Sequence, residues 1–103
     1  MIHVVAVITT KPGQRDTVLA AFRDNLPAVR AEEGCIEYGP VIDAEEAPAN
    51  LSKLGPDSFM VVEKWSSADT LKAHAASAHM AAYAAKVKDL LAKRDVYVLT
   101  SAE

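Results

Sequence analysis

The chain has a single cysteine, four glycines, one tryptophan and no apolar run long enough to span a bilayer. Cys35 has no intrachain partner, which excludes a disulfide framework, and metal sites built on thiolates need two or more such ligands. A reducing compartment fits this cysteine usage. With no basic leader, cleavage site or membrane-spanning segment legible at the N-terminus, the expected location is the cytoplasm, with no membrane partner. The glycines are scattered among turns, so there is no phosphate-cradling loop, dinucleotide fingerprint or nucleophile elbow. Positive charge is also in short supply: Lys and Arg total 11 against 14 acidic residues, a net charge of -3, so no nucleic-acid partner is expected.

What is present is ordinary globular material, 50% hydrophobic and 24% charged over 103 residues, enough for one domain, 1–103, around one core. Ile2 to Thr10 is β-branched and aliphatic at both parities, the pattern of a strand covered on both faces. After the turn Lys11-Pro12-Gly13, the positions Val18, Leu19, Phe22, Leu26 and Val29 follow helical spacing up to Gly34, with Pro27 expected to kink or divide the helix. Cys35 to Asp43 reads as a second strand with Ile36, Tyr38, Pro40 and Ile42 on one parity, and Pro40 points to an edge or a bulge.

Ala44 to Asp57, with Pro48, Gly55 and Pro56, is a loop, either an exposed hairpin connection or a lid. Ser58 to Trp65 is a third strand with Phe59, Val61, Glu63 and Trp65 on one face. Ser66 and Asp69 resemble a capping box opening a short helix through Leu71 and His74. A second helical stretch, 77–93, aligns Met80, Tyr83, Val87, Leu90 and Leu91, and Val96 to Thr100 is a fourth strand.

Strand, helix, strand, strand, helix pair, strand is the βαββαβ order of a ferredoxin-like α+β sandwich with a split second helix. Helices cover one sheet face, yet strands one and three are apolar on both. A homodimer packed sheet against sheet resolves that mismatch.

Five segments taken in order, Thr10-Lys11-Pro12-Gly13, Glu33-Gly34-Cys35-Ile36-Glu37-Tyr38, the Phe59–Trp65 strand with Glu63-Lys64-Trp65, Leu71-Lys72-Ala73-His74 and Ser77-Ala78-His79-Met80, resemble the antibiotic biosynthesis monooxygenase family. The small quinol monooxygenase branch is the nearest likeness, and it spans nearly the whole chain. The resemblance implies a dimeric α+β barrel with one pocket per subunit between sheet and helices. It also implies oxidation of quinols and related electron-rich aromatics by molecular oxygen, with neither metal nor flavin. Other members isomerise or degrade small compounds, so the alternative is a non-oxygenase dimer that binds or isomerises a small hydrophobic molecule. The segment between Asp43 and Ser58 is longer here than in the commonest family pattern.

An oxygenase without a cofactor must make its substrate the electron donor, which requires a base and a dry cavity. His74 is the candidate base, since imidazole exchanges protons near neutrality. Glu63, on a strand face with Phe59, Val61 and Trp65, either orients His74 or acts as a base itself; otherwise it forms an ion pair with a Lys or Arg. Trp65 offers a flat wall or packs in the core, and Tyr38 and Tyr83 can donate hydrogen bonds to an oxyanion. Phe59 and Met80 complete the expected substrate contacts, with His79 at the pocket mouth or on the surface. His3 is structural. No metal or other cofactor is expected, because His74 and His79 are five apart and share no helical face with which to join Glu63 around an ion.

Overall fold

In the computed structural model, which describes residues 1–103, the β-branched run Ile2–Thr10 forms β1. Gly13, at φ 77°, closes the turn into α1, Arg15–Arg30. Val18, Leu19, Phe22 and Val29 are buried on its inner side, as their spacing predicts. Pro27 does not divide α1. It lies on the exposed side, where the carbonyl that loses its amide partner is free to bind water. The helix ends at Arg30, so Gly34 falls in the turn beyond it instead of forming its cap.

β2, Cys35–Val41, stops two residues short of the expected end, and β3 occupies the expected Ser58–Trp65. As an edge strand, β2 accommodates Pro40. A register irregularity between Cys35 and Glu37 turns Ile36 out to solvent, off the inner parity assigned to it. Between β2 and β3, Asp43 accepts the amide N–H groups of Leu54 and Gly55 through its two carboxylate oxygens, at 2.9 Å each. Those bonds hold the Asp43 carboxyl below its usual range.

α2, Ala68–Ala75, is capped by Ser67, one residue later than the sequence pattern indicated. Thr70 N–H donates to Ser67 Oγ, and Ser67 N–H donates to Thr70 Oγ1, both at 3.2 Å. α3, Ala78–Val87, starts beyond Ser77, whose Oγ accepts from Met80 N–H. The expected helix to residue 93 ends early. A 3-10 turn at Lys88–Leu90 leads into β4, Leu91–Leu99, which therefore begins five residues before its predicted start. Pairing with β1 along its whole length satisfies the backbone of residues 91–95, whose charged side chains look like a helix surface.

The four strands pair antiparallel in the order β2-β3-β1-β4, which is the ferredoxin-like α+β sandwich. Val4, Ala6 and Ile8 of β1 and Phe59, Val61, Glu63 and Trp65 of β3 are buried on the inner face, under α1. Their alternates Val5, Val7, Met60 and Val62 form the centre of the outer face and are half-buried. Phe59 and Trp65, both 0% exposed, anchor the core, and burying each side chain contributes about 1.5–3 kcal/mol. No helix is long and apolar enough to cross a membrane.

Candidate active site

The inner sheet face and the helices α2 and α3 line a partly open cavity of about 540 Å³, the size of a pocket for a small aromatic molecule. Its walls are aliphatic or aromatic except at Glu63, His74, Lys88 and Arg94. Strand alternation puts Glu63 on the same inner face as Val61 and Trp65, and register sets Tyr38 of β2 opposite it. The Ser67 cap fixes the start of α2, and His74 follows almost two turns later, on the side that meets the cavity.

His74 is 5% exposed and its Nδ1 lies 2.7 Å from Glu32 Oε2. A carboxylate at Nδ1 favours the tautomer with its proton on that nitrogen, and Nε2 has no hydrogen bond to protein. The ring is held on its other sides by Trp65, at 4.6 Å between centroids, and by Tyr38 edge-on at 5.3 Å. Glu32 comes from the turn after α1. That turn is brought against α2 by the bond from Ser66 N–H to Gly34 O, 2.9 Å, and by the missing side chain of Gly34. A Cβ there would meet Thr70 Cβ at 2.5 Å.

Glu63 does not orient His74, contrary to one of the expectations from sequence. Its Oε1 accepts the indole N–H of Trp65 at 2.9 Å, and no hydrogen bond or ion pair joins it to a histidine, Lys or Arg. Burial pushes its carboxyl above the usual range, opposed by the Trp65 bond and by the nearby His74. Burial also raises both cavity phenols, Tyr83 to about 12 and Tyr38 further still, so both remain protonated donors at neutral pH.

Of the residues singled out from sequence, His74, Glu63, Tyr38, Tyr83 and Met80 line the cavity together. Trp65, Phe59 and His79 do not. Trp65 and Phe59 sit wholly inside the core, the first behind Glu63 and His74, the second against Phe22 at 5.8 Å between ring centroids. His79 is not part of the cavity wall and places Nε2 3.2 Å from Glu32 Oε2 and 3.3 Å from Ser77 Oγ. Glu32, His74 and His79 thus place their ligand atoms within 4.8 Å of one another. Glu32, not Glu63, completes the grouping, and its 2.7 Å contact with His74 is the length of a charge-assisted hydrogen bond. The loop 42–57 contributes nothing to the cavity wall and joins β2 to β3 at the far end from Cys35 and Trp65. It is the hairpin connection between those two strands.

Glu32, Lys88 and Arg94 escaped sequence reading. Glu32 is one of two adjacent glutamates before Gly34, with no local sign of a partner 42 residues on. Arg94 fell between the stretch read as helix and the fourth strand, whereas on β4 it sits opposite Ile8 and borders the cavity.

Comparison with known proteins agrees with this architecture. The family model described as antibiotic biosynthesis monooxygenase matches residues 1–86. The Escherichia coli (strain K12) protein YgiN, described as a "probable quinol monooxygenase", is 38% identical over 101 residues, covering 96% of each chain. Among solved structures, Rv0793 from Mycobacterium tuberculosis superposes with a TM-score of 0.80 at 25% identity, over 99% of this chain and 95% of that one. PA3566 from Pseudomonas aeruginosa gives 0.80 at 22% identity, over 99% and 94%.

Proposed function

The chain belongs to the antibiotic biosynthesis monooxygenase family, and from that premise we propose that it is a cofactor-independent monooxygenase of quinol-like or polycyclic phenolic substrates. The observation that carries the reading is the Glu32-held imidazole of His74 at the edge of an apolar cavity. The description of the Escherichia coli relative as a "probable quinol monooxygenase" points to the same substrate class.

His74 Nε2 takes the proton of a substrate hydroxyl, and Glu32 stabilises the imidazolium that forms. Apolar walls exclude water, and the phenols of Tyr38 and Tyr83 offer hydrogen bonds to the phenolate. The electron-rich ring carbon beside the phenolate then bonds to dioxygen, and the imidazolium supplies a proton to the resulting peroxide. Loss of the ring C–H proton and cleavage of the O–O bond leave a carbonyl at that carbon and release water. A hydroquinone and one dioxygen thereby give a hydroxyquinone and one water. The substrate supplies all four electrons, so no external reductant enters the balance.

The active unit in this proposal is a homodimer. On the outer sheet face Val5 sits between Val62 and Tyr97, and Met60 between Val7 and Val41, an apolar surface that a second copy would cover. The test of function is oxygen uptake with a panel of reduced quinones, comparing wild type with His74→Ala. Uptake that depends on His74 supports the mechanism. Uptake unchanged by the substitution removes His74 from it, and no uptake with any substrate leaves the cavity as a binding or isomerising site.

A further inference from the structure

Two cations border the cavity, Lys88 in the 3-10 turn after α3 and Arg94 on β4. Both are exposed, and neither takes part in an ion pair or side-chain hydrogen bond. In a chain with net charge -3, these are the only two cations on the cavity wall, and although Glu63, its one carboxylate, feels the field of Arg94, it pairs with neither, so both are free to take an anion from outside. Their position relative to the acid-base end is fixed by register: Glu63 lies opposite Val4 and Arg94 opposite Ile8. Those two β1 residues are four apart, about 13 Å along a strand, and the flexible arginine chain shortens the gap. The cavity therefore has Glu63 and the nearby His74 toward one end and the cationic Arg94 toward the other.

We propose that the cavity selects aromatic substrates bearing a carboxylate, held by Arg94 and Lys88 while the phenolic end lies at His74. This deepens the oxygenase reading and rests on it for the phenolic half. The guanidinium fork matches a carboxylate in two parallel hydrogen bonds, and Lys88 adds a mobile point charge. The charge also sets direction. A neutral bicyclic quinol can enter either end first, whereas an anionic tail at Arg94 presents the hydroxyl to His74.

The test uses two unreactive probes of equal shape, 2-naphthoate and 2-naphthamide, titrated against the full chain by calorimetry. The naphthoate should bind at least about tenfold more tightly at low ionic strength, and the advantage should shrink with added salt. It should vanish in the double variant Arg94→Gln, Lys88→Gln, with naphthamide affinity unchanged. Both positions are exposed, and a circular dichroism melt verifies that the variant is folded. Equal affinity in the wild type, a preference that survives the double substitution, or binding of neither probe overturns the proposal. Neither probe is a quinol. A charge preference without oxygen uptake on any quinol therefore sinks the oxygenase reading alone, and uptake without a charge preference sinks this one alone.

Discussion

Glu32 Oε2 and His74 Nδ1 are 2.7 Å apart although 42 residues separate them in sequence, and the same carboxylate oxygen is 3.2 Å from His79 Nε2. One acid thus orients the proposed base and ties α3 to the turn that follows α1. His74→Ala is expected to lower kcat for quinol-dependent oxygen uptake by about 10²-fold or more, the usual contribution of a positioned acid-base group. Glu32→Gln keeps an acceptor but removes the charge that stabilises imidazolium, so kcat should fall while KM changes little. An equal rise in KM with kcat intact would assign Glu32 to packing instead. Steady-state oxygen-electrode kinetics separate the two outcomes.

Glu63 predicts a pH-dependent stability effect of definite sign. Its folded carboxyl titrates above the ordinary 4.5, so between those two values the folded state holds more protons than the unfolded state, and stability falls as pH rises through that window. Glu63→Gln, which cannot ionise, should melt at a higher temperature than wild type near pH 7.5, and the gain should shrink as pH falls toward 4.5. Thermal melts at the two pH values check this. A difference that is constant with pH would mean that the carboxyl is not strained by burial.

The outer sheet face gives a test of assembly. Val62→Lys places a charge at the centre of that face, between Val5 on β1 and Gly39 on β2. Light scattering coupled to size exclusion should show wild type at twice the chain mass and the variant at the single mass. Wild type running as a monomer would end the sheet-to-sheet proposal.

Gly34 should tolerate no side chain. Its φ of +81° disfavours L-residues, and an added Cβ would fall 2.5 Å from Thr70 Cβ and 2.6 Å from Ser66 Oγ. Gly34→Ala is expected to destabilise by more than 1 kcal/mol, at least about the penalty for an incompatible backbone, and to reduce activity through Glu32 as well. Ser67→Ala provides the comparison, because it removes the cap of α2 without crowding and should cost about 1 kcal/mol. Urea denaturation midpoints would rank the two.

The fold was legible because its signals are local: alternation in β1 and β3, helical spacing in α1, and Pro40 at a sheet edge. Boundaries failed where a long-range partner overrode local pattern, as for residues 91–95, whose charges look helical but whose backbone pairs with β1. The site was half legible. His74, Glu63, Tyr38, Tyr83 and Met80 stand out by residue type and face, and they meet in the cavity. Trp65 and Phe59 share the Glu63 face but lie deeper than the lining, which alternation along one strand cannot resolve. Glu32 could not be paired with His74 from sequence, since that contact depends on how two separate corners dock at Gly34.

The carboxylate of Asp43 clasps Leu54 and Gly55, so the segment between them closes on itself at the rim farthest from Trp65. Such a self-buttoned appendage is a natural grafting point. A reporter peptide or affinity tag spliced near Asn50 would hang from the frame, clear of every residue that lines the chamber.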